Sequence, residues 1–145
     1  MSDKMISRLG FILMVIAIIL LMKEESLFAE TTFTRVLQAF PVLLMLYARV
    51  TFGMRSFHAS ADPTDGGLVT EGPYKFIRHP IYAAVLYFAW IGVLTHITLI
   101  NIILGIIEAV GISLRIHLEE KLILQKYPEY REYSKKTKRI IPFII

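Results

Sequence analysis

Long apolar runs separated by short polar stretches set the pattern of this chain. Residues 5–22 carry one charge, Arg8, near the start of the run; residues 33–54 carry Arg35 and Arg49 near its two ends. Residues 81–114 carry only Glu108. A run of about 18 uncharged residues is enough to cross a hydrocarbon core about 30 Å thick at a helical rise of 1.5 Å per residue. The pattern predicts an all-α integral membrane protein.

The last run is too long for one span. Residues 81–118 in a single helix would extend roughly 57 Å, nearly twice the hydrocarbon thickness. The chain must fold back, and Thr95-His96-Ile97-Thr98, with Asn101 nearby, is the most polar place to turn. Four membrane helices are expected, at 5–22, 33–54, 81–95 and 99–118, the last two forming a helical hairpin. The arm 81–95 is short and is expected to tilt or to span only in part. Together they make one membrane domain, 1–145, with a loop at 55–80 and a helical tail at 119–145.

Prolines and glycines refine these boundaries. Pro41 is expected to kink the second helix, because its ring removes one hydrogen bond and crowds the preceding turn. Pro80 suits the first turn of the third helix, where the missing N–H is not needed. Asp65-Gly66-Gly67 and Gly72-Pro73 mark turns in an irregular central loop. Helix four is expected to continue past the membrane until Pro128 ends it and opens a short helix through "PEYREYSKKT". Tyr127, Tyr130 and Tyr133 recur there every three residues, which fits either a face packed on the body of the protein or an interfacial tail.

Charge then orients the helices. Lys and Arg concentrate in short cytoplasmic loops. Arg115, Lys121, Lys126, Arg131, Lys135, Lys136, Lys138 and Arg139 follow the hairpin, and Arg55, Lys75 and Arg78 lie in the central loop. The first loop sets Lys23 against Glu24, Glu25 and Glu30, and the hairpin turn is uncharged. Both termini and the central loop are therefore expected on the cytoplasmic side. The net charge of +4 reads as orientation plus some attraction to anionic membrane lipids, with no need of a nucleic-acid partner. Lys4 and Arg8 ahead of an apolar stretch resemble a signal peptide, but a core long enough to span and a weak cleavage site at Phe28-Ala29-Glu30 favour a retained helix. Hydrophobic residues make up 55% of the chain and mean hydropathy is +0.58, outside the range of a soluble globule.

Candidate chemistry is sparse and mostly lies on one helix. The absence of cysteine excludes disulfides, thiolate catalysis and Cys-based metal sites. His58 and His96 lack partners at ligand spacing, and His117-x-Glu119-Glu120 matches no metal motif, so no metal is expected. No nucleophile elbow and no glycine-rich dinucleotide turn are present. Projected at about 100° per residue, Asn101, Glu108, Arg115 and Glu119 fall within about 20° of one line on helix four, while Glu120 lies about 120° round. Ionisable groups inside a span cost at least ~2.5 kcal/mol against lipid. The line is therefore expected to face protein, a ligand or a polar cavity opening to the cytoplasm beneath the central loop, where Arg78-His79 also lies. Glu108 is expected to be neutral or paired with Arg49 or Asn101, and Arg115 with Glu119 is an i, i+4 pair.

The segment "GPYKFIRHPIY" at 72–82, followed by "RIHLEEKLILQKYPEYREYSKKTKRIIPFI" from Arg115, resembles the membrane methyltransferases that include isoprenylcysteine carboxyl methyltransferases and phospholipid N-methyltransferases. Their pattern is G-P-Y-x-x-x-R-H-P-x-Y-x-G, then a hydrophobic hairpin, then R-x-x-x-E-E, Y-x-x-Y and a terminal I-P. The likeness covers roughly residues 67–145; Ala84 stands where the family has Gly. It implies S-adenosylmethionine as methyl donor, with Arg78, His79, Pro80, Tyr82, Glu119 and Glu120 around it, and a lipid-like acceptor arriving from the bilayer. Arg115 would orient a carboxylate acceptor, and Glu119 or His79 would take the proton from an amine. Two other readings remain: an NADPH-dependent enzyme like the sterol reductases, which share a similar R-H-P-x-Y layout, and a non-catalytic lipid-binding scaffold.

Overall fold

A computed structural model of the protein describes residues 3–53 and 66–142. It contains α1 (Asp3–Lys23), α2 (Thr32–Phe52), a 3-10 turn (Gly72–Lys75), α3 (Pro80–Thr95), α4 (Leu99–Lys126) and α5 (Tyr130–Lys136). Among the described residues the chain forms no strand, only an isolated parallel bridge between Ile77 and Lys138. The helix starts follow local chemistry. Thr31 caps α2 in a reciprocal pair with Thr34, and Thr98 accepts from the Asn101 backbone N–H at 3.1 Å to start α4. Pro80 occupies the first turn of α3. The hairpin turn falls between Thr95 and Leu99, at the expected polar stretch. Pro41 lies inside α2, which continues through it to Phe52.

α1, α2 and α4 are each long and apolar enough to cross a membrane, whereas α3, at 16 residues, is apolar but shorter. The protein is an integral membrane protein. α1 runs antiparallel to α4, as the pairs Asp3–Lys121, Gly10–Gly111 and Leu21–Leu104 indicate. Gly10 and Gly111 meet so closely that a Cβ on Gly111 would sit 2.6 Å from the Gly10 carbonyl oxygen. α2 packs chiefly on α3. Two apolar clusters fill the bundle. One joins Leu21, Leu27, Ala89, Val93 and Leu104; the other joins Met14, Ile112 and Ile116.

Buried side chains tie the end of the bundle that carries the hairpin turn. Gln38 accepts from the Ala29 backbone N–H at 2.9 Å and donates to the Leu27 and Phe88 carbonyls at 2.8 and 2.9 Å. Asn101 donates to Ser26 Oγ at 2.8 Å and to the His96 carbonyl at 2.7 Å. At the other end, the second half of the central loop is stitched to the C-terminal segment. The Arg78 N–H donates to the Lys138 carbonyl at 2.7 Å, the Lys138 N–H to the Phe76 carbonyl at 3.1 Å, and the His79 N–H to the Arg139 carbonyl at 3.0 Å. Gly66, Gly67 and Gly72 adopt positive φ where turns were expected; Arg55, His58 and Asp65 lie outside the described residues.

Candidate functional site

The short segment Arg78–Tyr82 and the last turns of α4 meet at the stitched end of the bundle. Pro80 starts α3 so that Arg78 and His79 stand just before it and Tyr82 points one turn inside. From α4, Arg115 and Glu119 lie one turn apart on the same face, and Glu120 turns toward the C-terminal segment. The six expected polar side chains, Arg78, His79, Tyr82, Arg115, Glu119 and Glu120, form one connected network, and Pro80 is buried beneath it.

Glu119 anchors the inner half. The Tyr82 hydroxyl donates to Glu119 Oε1, and Arg115 Nη2 donates to the same oxygen at 3.1 Å. Arg115 Nε donates to the Tyr82 hydroxyl at 2.7 Å. The Arg115 guanidinium lies between the rings of Phe11 and Tyr82, at 5.2 and 5.6 Å from their centroids, and its side chain is only 3% exposed. Such a cation is held by its aromatic sandwich as well as by its carboxylate. His79 Nδ1 approaches Glu119 Oε2 at 3.8 Å.

Glu120 anchors the outer half. Its Oε1 accepts from Arg78 Nε at 2.9 Å and from the Tyr130 hydroxyl at 3.3 Å, and lies 3.3 Å from His79 Nε2. Its Oε2 faces Arg139, whose Nε and Nη2 both stand at 3.0 Å. Arg78 also donates through Nη1 to the Ser134 carbonyl at 2.9 Å and to the Thr137 carbonyl. The tyrosine repeat therefore packs onto the protein: Tyr130 is buried, Tyr133 donates to the Tyr74 carbonyl at 2.7 Å, and the Tyr127 hydroxyl accepts from the Gly67 N–H at 3.4 Å. Burial pushes the phenols of Tyr74, Tyr130 and Tyr133 up, the last to about 12.

The deeper part of the stripe faces protein rather than a polar cavity. Asn101, Glu108 and Arg115 are buried in the bundle. Glu108 is 0% exposed, and neither of its carboxyl oxygens has a hydrogen-bond partner. Asn101 spends its amide on Ser26 and His96, so it does not pair with Glu108, and no ion pair joins Glu108 to Arg49 among the described residues. The reason is the close Gly10–Gly111 contact, which seals this face of α4 against α1 instead of opening it. A cavity of about 320 Å³ lies elsewhere, between α2 and α3. It is lined by apolar side chains including Pro41, Met45, Ala84, Val85 and Phe88. Ala84 thus sits on its wall, where a Gly would leave it wider.

Arg139, Tyr130 and the Ser134 and Thr137 carbonyls did not emerge from the sequence as site groups. No motif or spacing assigned Arg139 to the site, and the three-residue tyrosine spacing marked only a face that could pack, without saying against what. Among the described residues, no group of three or more His, Asp or Glu side chains is gathered closely enough to hold a metal ion.

An α-helical membrane bundle with paired carboxylates, arginines and tyrosines at the junction of R-H-P-x-Y and R-x-x-x-E-E defines a recognisable class. The chain belongs to the isoprenylcysteine carboxyl methyltransferase family, whose profile matches residues 32–125. It is 30% identical over 76 residues to a cobalt-zinc-cadmium resistance protein of Cupriavidus metallidurans, over 52% of this chain and 35% of that protein. The same identity and length relate it to a nickel-cobalt-cadmium resistance protein of Alcaligenes xylosoxydans xylosoxydans, over 52% of this chain and 36% of that one. A methanethiol S-methyltransferase of Pseudomonas deceptionensis is 30% identical over 83 residues, 57% of this chain and 31% of its own. The matched stretches thus span about a third of each relative's length. No solved structure matches the chain.

Proposed function

We propose that the protein is a membrane methyltransferase that uses S-adenosylmethionine to methylate a lipid-like acceptor at the cytoplasmic membrane face. The acceptor is an isoprenylcysteine-type carboxylate or a related isoprenoid or phospholipid group. The observation that carries this reading is the pair of neighbouring carboxylates, Glu119 and Glu120, set among Arg78, His79, Tyr82 and Arg115 at one end of an apolar bundle. Family membership supports it, as does the reaction named for the Pseudomonas relative.

The residues present suit that cofactor by donor chemistry. Carboxylates match its α-ammonium, arginine its carboxylate, and an aromatic ring its sulfonium. In this reading Arg78, His79, Pro80, Tyr82, Glu119 and Glu120 hold it, and when bound it supplies an electrophilic methyl group. The chain's own work is alignment and exclusion of water, which is most of what an in-line displacement needs. Arg115, fixed between two rings, orients an acceptor carboxylate, which needs no base. Glu119, or His79 beside it, takes the proton from an acceptor amine. The apolar cavity between α2 and α3 offers a lipid-like chain a lodging reached from the bilayer. One membrane domain with both termini cytoplasmic completes the reading, since the basic residues cluster beside the site.

Equilibrium binding to the detergent-purified protein tests this. S-adenosylhomocysteine is expected to bind and NADPH not to. Binding of NADPH alone would favour a reductase, and binding of neither would favour a scaffold.

A further inference from the structure

Three guanidiniums face the two carboxylates of the site, and they are not equivalent. Arg115 is sealed between Phe11 and Tyr82. Arg78 is half-buried and is tied to two backbone carbonyls besides Glu120. Arg139 differs on both counts: its side chain is 48% exposed, and its guanidinium contacts go to Glu120 Oε2 alone. That oxygen in turn takes only Arg139, whereas Oε1 is shared by Arg78, His79 and Tyr130. Arg139 follows the Lys138 bridge and precedes Ile140, whose carbonyl accepts from the Tyr87 hydroxyl. The backbone around Arg139 is thus pinned while its side chain lies across the outer face of Glu120. It also lies beyond the part of the chain matched by the family profile, which ends at 125.

We infer that Arg139 is a resident competitor for Glu120: its guanidinium occupies Oε2 until a cationic ligand group displaces it. This rests on the reading of Glu120 as a cofactor-holding carboxylate. Arg115 and the half-buried Arg78 already balance the two carboxylates, so the third cation is surplus to the network. An incoming ammonium must either share Oε2 with Arg139 at short range or replace it. Like charges that close repel, and an exposed arginine on a single acceptor is the group with least to lose by moving into water. Arg139 thereby sets the affinity of the site without being needed to build it, and the pinned backbone keeps it at hand to reclose the site when the ligand leaves.

The test is the equilibrium dissociation constant of S-adenosylhomocysteine for the purified full-length protein and for Arg139→Gln and Arg139→Lys. The glutamine variant is expected to bind about three- to tenfold more tightly, with the lysine variant close to wild type because it restores the competing charge. Thermal melting of each form confirms that the fold is retained. Wild-type binding with equal or weaker binding by Arg139→Gln overturns the competitor role and makes Arg139 an ordinary surface partner or a ligand contact. Binding by neither form overturns the cofactor reading itself.

Discussion

Replacing Gly111 by alanine probes the contact that closes the polar stripe. The added Cβ would lie 2.6 Å from the Gly10 carbonyl oxygen and 3.0 Å from the Met14 backbone nitrogen. Ordinary contact begins at 3.4 Å, so α1 must retreat by about 0.8 Å, since both obstacles are backbone atoms. Overpacking of this kind costs about 1–3 kcal/mol, and the absence of a yielding side chain places it near the top of that range. Alanine returns up to ~1 kcal/mol through its better helix propensity, leaving a net loss of about 2 kcal/mol. Gly105→Ala is the control. Its Cβ would meet only side chains, Trp90 at 3.2 and 3.3 Å and Val93 at 3.5 Å, and small rotations relieve them. The propensity gain then offsets the strain, and the net change stays within about 0.5 kcal/mol. Thermal and denaturant melts in one detergent compare the two. A Gly111→Ala protein as stable as Gly105→Ala would refute the close helix contact as a stabilising element. Because α1 also presents Phe11 to Arg115, the retreat should loosen the inner half of the site.

Gln38→Ala removes three hydrogen bonds that tie α2 to the first loop and to α3, a loss of about 3 kcal/mol at roughly 1 kcal/mol each; a melt unchanged from wild type would show those bonds to be dispensable. Alkaline pH should destabilise the protein through its buried phenols. An unfolded tyrosine ionises near pH 10, whereas Tyr133 keeps its proton to about 12 when folded, and burial pushes Tyr74 and Tyr130 up as well. Stability from these groups is whole below about pH 10 and is lost as the pH rises toward the folded values, so melting midpoints should drop between about pH 10 and pH 12. Tyr74→Phe should reduce that drop.

Much of the bundle could be read from the chain because the signals are local. Uninterrupted apolar runs located α1, α2 and α4, and Thr98 and Pro80 sharpened two helix starts. The Arg78–Tyr82 segment and the Arg115–Glu119 pair were also legible, because motif and helical spacing fix which side chains share a face. Glu120 shows where that reasoning ends. A projection about one axis places it about 120° from the stripe, yet α3 and the C-terminal segment approach α4 from that side and supply Arg78 and Arg139. Arg139 and Tyr130 join the site through a return of the chain that no periodicity encodes. Glu108 was read as neutral or paired with Arg49 or Asn101, and the sequence could not choose; the Gly10–Gly111 contact, which depends on two glycines far apart in sequence, accompanies its burial without a hydrogen-bond partner.

Binding of S-adenosylhomocysteine to wild type and to Glu119→Gln tests the central claim most directly. Glu119 Oε1 receives Tyr82 and Arg115, so losing its charge should weaken cofactor binding about tenfold, the equivalent of one charge-assisted hydrogen bond of roughly 1.5–3 kcal/mol. Unchanged affinity in a variant that melts like wild type would contradict the account and leave Glu119 an interfacial partner of Arg115.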